Sequence, residues 1–172
     1  MSDSAQRLRA MVIGVSPERA LMIQRSLQAH GHEVVASLMD RADLHGQLVS
    51  LQPDVLIVDV DSPDSDTLEA MQAIDRDHPR PIVMFSNDGE SHMIEAAVHA
   101  GISAYVVDGL RAGRVIPIVE VAMARFKEHQ TLRRALAEAR NALAERKTIE
   151  RAKGILMKQR RLEEDAAYAA MR

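Results

Sequence analysis

The sequence predicts an α/β fold: a five-stranded, doubly wound parallel sheet, followed by a long coiled-coil helix and a small helical module. Three observations carry this reading. Five short apolar runs rich in β-branched residues alternate with helix-length segments up to about residue 110. The third and fourth runs are apolar almost throughout, as strands covered on both faces must be. Beyond residue 111 no proline follows Pro117, and the only glycines are Gly113 and Gly154, so little interrupts a helix.

The strands are expected at 10–15, 33–37, 54–59, 81–86 and 103–107. Between them, helices are expected at 17–30, ending near Gly31; at 40–51; at 64–77, stopped by Pro79 and Pro81; and at 90–100, ending at Gly101. In such a sheet, ligands and chemistry gather at the carboxyl ends of the strands. Those ends are Val15-Ser16, Asp59 to Asp61, Ser86-Asn87 and Val107-Asp108. From about 112 to 160 one helix fits, about 70 Å long at 1.5 Å per residue, more than a single domain can bury. Within it Leu132, Leu136, Ala139 and Leu143 repeat at spacings of 4, 3 and 4, the seam of a short coiled coil and a route to a homodimer. A solvated connecting helix is the other reading of the same pattern. The expected organisation is a core at 1–110, its last helix continuing as a linker at 111–144, and a basic module at 145–172.

Composition narrows the function. A chain of 172 residues, 47% hydrophobic, holds one ordinary domain and an appendage. Without cysteine there are no disulfides, thiolate zinc sites or cysteine nucleophiles. A polar N-terminus and the lack of any apolar run of about 18 residues exclude a signal peptide and a membrane span, so the cytoplasm is expected. With 2% aromatics and no Trp, base-stacking platforms are not expected. The net charge of −3 conceals an asymmetry: residues 1–110 carry 7 basic and 17 acidic side chains, residues 111–172 carry 15 and 8. An acidic body with a basic appendage fits a regulatory domain joined to a module that meets a polyanion. His30 and His32 flank Gly31 without a third ligand at recognisable spacing, and there is no phosphate loop or nucleophile elbow. Neither catalysis nor a bound metal or other cofactor is expected.

Asp54, Asp59, Asp61, Asp64 and Asp66 crowd the end of the third strand. A calcium loop starting at Asp59 fails, because Asp64 falls where glycine is needed and Ala70 where a bidentate glutamate is needed. The pattern of a buried strand ending in Asp59, with Pro63 four residues on, resembles the phosphoacceptor strand of bacterial response-regulator receiver domains, over residues 8 to 128. The resemblance implies a flavodoxin-like fold, with Asp59 at the acceptor position, Ser86 at the hydroxyl switch position and Tyr105 at the aromatic switch position. Two departures stand out. The acidic pair that holds Mg²⁺ in receivers is replaced by Gly14 and Val15, and the lysine that follows strand five by Asp108, with Gly109 next. Phosphorylation of Asp59 would then place about −1.5 to −2 charge near Asp61, Asp66 and Asp108 with no matching cation in view. The expectation is a pseudo-receiver whose Asp59 is structural or contacts a partner, Asp61 and Glu18 being the carboxylates able to rebuild part of a metal site.

The end of the chain is basic. Arg146, Lys147, Arg151, Lys153, Lys158, Arg160 and Arg161 stand against Glu150, with Arg146, Lys153 and Arg160 seven apart on one helical line. Ile149, Ala152 and Leu156 line another face. A zipper-type DNA reader has its basic region before the leucines, the reverse of the order here. The wording Arg146-Lys-x-Ile149-x-Arg-Ala-Lys-Gly-Ile-Leu-Met157, then Glu163-Glu-Asp-Ala-Ala-Tyr168, resembles the ANTAR module of transcription antiterminators. This resemblance implies a regulator of the NasT and AmiR kind, nearer NasT, which binds hairpins in leader RNA through Arg146, Lys147, Arg151, Lys153, Lys158 and Arg160. It also implies control by a ligand-sensing protein docked on the receiver-like part, target genes for nitrate and nitrite assimilation, and no membrane partner. The family's module runs on beyond the point where this sequence stops, so the module is expected to be truncated at Arg172. The alternative is a phosphorylation-dependent response regulator that acts only through protein contacts.

Overall fold

The computed structural model describes residues 7–14, 16–39 and 43–160. Five strands and five helices alternate: β1 (Arg9–Gly14), α1 (Pro17–Ala29), β2 (Glu33–Leu38), α2 (Leu44–Leu51), β3 (Val55–Asp59), α3 (Ser65–Asp77), β4 (Ile82–Ser86), α4 (Ser91–His99), β5 (Ala104–Val107) and α5 (Ala112–Arg160). Each expected strand is present, with bounds shifted by no more than one residue. The second helix begins at Leu44 rather than 40, and positions 40–42 lie outside the described residues. The chain divides into two compact units, 1–127 and 128–172, with α5 running through the division.

All strand pairs are parallel, in the order β2-β1-β3-β4-β5. Alternation along the strands sorts side chains into two cores. Ala10, Val12, Val55, Ile57, Val83 and Phe85 face Ile23 and Leu27 of α1 and Val115, Val119 and Ala122 of α5. Met11, Ile13, Leu56, Val58, Ile82 and Met84 face Leu48 of α2, Met71 and Ile74 of α3 and Ala97 of α4. This two-sided burial is why β3 and β4 read as unbroken apolar runs, each buried at all five positions. The chain leaves β1 toward one face and β3 toward the other, so a crevice opens at their carboxyl ends, where Gly14 pairs with Asp59.

Two helices stop by the same device. After α1, Gly31 N–H donates to Gln28 C=O and His32 N–H to Leu27 C=O; after α4, Gly101 N–H donates to Val98 C=O and Ile102 N–H to Ala97 C=O. This double closure needs a left-handed residue, and both glycines supply it, at φ +80° and +81°. They differ in surroundings. A Cβ on Gly31 meets nothing within 4 Å, whereas one on Gly101 would sit 2.5 Å from Asp75 Cγ. Gly31→Ala is expected to cost about 1 kcal/mol from backbone strain alone, and Gly101→Ala about 2–3 kcal/mol because α3 must also yield. Urea denaturation of the two variants checks the order, and equal losses would refute the packing argument.

Candidate functional site

Asp59 closes β3 with its side chain fully buried, flanked by Gly14 of β1 and Phe85 of β4. A charged group in that position needs a partner, and the first turn of α1 supplies one. Arg19 Nη2 lies 2.6 Å from Asp59 Oδ1, and Nη1 lies 3.9 Å from Asp61 Oδ1. The local sequence explains the placement. The Ser16 hydroxyl caps α1 by accepting from Arg19 N–H at 3.5 Å and Pro17 takes the first helical position, so α1 starts right at the sheet's carboxyl edge. At 2.6 Å the Arg19 contact is a close charge pair on Oδ1, while Oδ2 accepts no hydrogen bond among the described residues. Burial holds the Asp59 carboxyl above its usual range; Arg19 opposes this by Coulomb attraction, and Asp61 adds a smaller push upward.

The expected switch residues join this site through backbone loops. Ser86, buried at the end of β4, donates its hydroxyl to Asp61 C=O and accepts from Asp88 N–H, both at 3.0 Å. Tyr105 donates its phenol to Asp88 C=O at 2.8 Å. Burial pushes the Tyr105 phenol above its ordinary value, and the Asp88 carboxylate adds to that. Asn87 Nδ2 donates to Asp61 Oδ1 at 3.0 Å. Asp108, at the position of the receiver lysine, adopts a left-handed φ of 47° and donates its N–H to Ser86 C=O at 3.0 Å. A small cavity of about 300 Å³ is lined by Arg19, Met22, Asn87, Asp108 and Leu110.

Arg19 corrects one expectation: the sequence offered no cation for Asp59, and the fold brings one into contact. Its signal was legible only by placing the first turn of α1 opposite the end of β3. The other aspartates have separate tasks. Asp54 accepts from Arg9 N–H at 2.8 Å, Asp64 caps α3 by accepting from Thr67 N–H at 2.7 Å, and Asp66 lies in the first turn of α3. The residues present do not fit the divalent ion of receivers. Gly14 contributes no side-chain oxygen, Val15 lies outside the described residues, and the Asp61 carboxylate already accepts from Asn87 Nδ2 at 3.0 Å. Glu18 instead lines an open groove with Leu21, Met22 and Arg25. Among the described residues no group of three His, Cys, Asp or Glu side chains could hold a metal. The His30 ring lies 2.9 Å from Ser26 C=O through Nδ1, and His32 Nδ1 accepts from Leu8 N–H at 3.4 Å, so both serve local structure.

In the second unit, α5 displays Leu132, Leu136, Ala139 and Leu143 as exposed residues, the first, second and fourth at 62%, 52% and 56%. Arg146, Lys147, Arg151 and Lys158 are exposed as well. Lys153 differs: its side chain is only 17% exposed and its Nζ lies 3.6 Å from Glu150 Oε2. The side chains of Leu156 and Arg160, and all of Arg161 to Arg172, lie outside the described residues.

The raised Asp59 pKa has a definite sign. A carboxyl that titrates higher folded than unfolded adds stability while protonated and loses it as pH rises through the folded value. At neutral pH the ionised group is therefore disfavoured relative to its protonated form, and the neutral isostere Asp59→Asn is expected to raise the melting midpoint at pH 7. The gain should vanish below about pH 4, where both states are protonated. Thermal melting across pH measures it, and a lower midpoint for the variant at pH 7 would contradict the assignment.

Comparison with known proteins agrees with the geometry. Residues 11–120 match the response regulator receiver domain and residues 137–172 match the ANTAR domain. The chain is 28% identical over 167 residues to the transcriptional regulatory protein PdtaR of Mycobacterium tuberculosis, covering 97% of this chain and 82% of that protein. It is 27% identical over 112 residues to the chemotaxis protein CheY of Bacillus subtilis, covering 64% of this chain and 93% of that one. Among solved structures, the signal receiver domain of a modulated diguanylate cyclase from Desulfovibrio desulfuricans superposes with a TM-score of 0.63 at 15% identity, covering 72% of this chain and 99% of that one. A response regulator from Thermotoga maritima gives 0.61 at 18%, covering 69% and 98%. A five-stranded sheet in receiver order, ended by a buried aspartate and followed by an ANTAR match, places the chain in the response regulator receiver family, with an ANTAR domain after the receiver.

Proposed function

We propose that the chain is an RNA-binding transcription antitermination regulator that works without catalysis of its own. Its ANTAR segment grips hairpins in leader RNA, and its receiver unit docks a ligand-sensing protein. The observation that carries this reading is the coincidence of the ANTAR match at 137–172 with the exposed cations Arg146, Lys147, Arg151 and Lys158 of α5. Cations spaced along a helix can follow phosphates and release counterions. A transcriptional regulatory protein as a relative over 97% of the chain supports a role in transcription. Lys153, paired with Glu150, is the weakest member of the proposed RNA-contacting set, and Arg160 completes that set. The NasT resemblance points to genes for nitrate and nitrite assimilation, and the cytoplasm is where nascent RNA is met. Among the described residues no helix is long and apolar enough to cross a membrane. Control by a docked sensor, rather than by phosphorylation, suits an Asp59 held by Arg19 where, among the described residues, no cluster of three His, Cys, Asp or Glu side chains could hold a metal.

Titration of full-length protein with a two-hairpin RNA at several salt concentrations tests the reading. Binding should weaken steeply with salt, and Arg151→Ala should lower the affinity and reduce the logarithmic salt slope by about 1. Equal affinity for a scrambled RNA, or displacement by duplex DNA, would reject it.

The exposed Leu132, Leu136, Ala139 and Leu143 supply the seam of a homodimer in the same reading. Leu136→Glu is expected to shift the sedimenting species from dimer to monomer, and a wild-type chain that sediments as a monomer at all concentrations would remove the dimer from the proposal.

A further inference from the structure

The carboxylate of Asp59 is fully enclosed, so its charge has to be met inside the protein or given up to a proton. Arg19 is the cation in contact, and its placement is built in. Its backbone is tied to the Ser16 cap, its Nη2 is 2.6 Å from Asp59 and its Nη1 reaches toward Asp61. Asp61, whose side chain is largely exposed, accepts from Asn87 Nδ2 at 3.0 Å and lies 3.9 Å from Arg19 Nη1. The facing position on β1 is Gly14, where even a Cβ would stand 3.9 Å from Asp59 Oδ2.

A hard divalent ion needs about six oxygen ligands, several of them carboxylates or waters at close to 2 Å. To reach Asp59 here it would displace a guanidinium already in contact and then sit beside that fixed positive charge. Guanidinium is charged at every physiological pH and, being part of the chain, is never in exchange with solvent ions.

We propose that Arg19 is the resident cation of the Asp59 site: it takes the place of a bound divalent ion, so the receiver unit neither needs nor admits Mg²⁺ there. Arg19 is a positioning residue in this role, holding the end of β3 and the loop through Asp61 against the first turn of α1. The inference concerns the receiver unit alone and does not depend on RNA binding.

The test is a double-mutant cycle on the full-length chain, with Arg19→Ala, Asp59→Asn and the double variant, each melted with Mg²⁺ and with EDTA at matched ionic strength. The wild type should melt at the same temperature in both, and Mn²⁺ added to it should keep the electron paramagnetic resonance signal of the free ion. Arg19→Ala should lower the melting temperature markedly when Asp59 is present and by less than half as much when it is combined with Asp59→Asn, with Arg19→Lys retaining most of the wild-type value. Should Arg19→Ala fail to fold while the double variant folds, that is the same coupling in extreme form. Mg²⁺ stabilisation of the wild type that is lost in Asp59→Asn, an equal cost of Arg19→Ala in both backgrounds, or failure of both Arg19→Ala variants to fold would overturn the proposal.

Discussion

The constraint on which the rest depends is the covering of β3 on both faces. Val55, Leu56, Ile57 and Val58 alternate between two apolar cores, so polar chemistry can enter this strand only at its end. Asp59 is that end. Being buried, it demands a cation, and its position beside the divergence of the chain after β1 and β3 puts the first turn of α1 within reach. The Ser16 cap and the Pro17 start set where α1 begins, and the sandwiching of β3 is what gives the Arg19 contact its purpose.

Most of the fold was legible because apolar periodicity and helix punctuation are local. Gly31 and Gly101 marked two helix ends because only a residue tolerant of positive φ closes them without strain. The uninterrupted stretch from Ala112 announced α5, although Pro117 sits inside it. The same locality put Asp59 and Ser86 at strand ends and Tyr105 within a strand, while their switch and acceptor positions came from the resemblance to receivers.

What escaped the sequence was pairing across loops. Arg19 and Asp59 are forty residues apart, and nothing in the wording around Arg19 distinguishes it from a solvated arginine on an amphipathic helix. A similar blindness affected Lys153. Its spacing put it on the line of Arg146 and Arg160, while its covered side chain and the Glu150 contact set it apart from Arg146, Lys147, Arg151 and Lys158. Helical spacing fixes the direction of a side chain but not what has already engaged it.

The hydroxyls of Ser86 and Tyr105 have a consequence for motion. The phenol holds the carbonyl of Asp88, the amide of Asp88 holds the Ser86 oxygen, and that hydroxyl holds the carbonyl of Asp61. If the ring swings outward, the Asp88 carbonyl is orphaned, at a penalty of about 1–3 kcal/mol if no water replaces it. If the serine rotates, two loops lose their tether together. The two loops after β3 and β4 are thus latched in series to the ends of β4 and β5, so a disturbance entering at one can reach the other along the rim of the sheet.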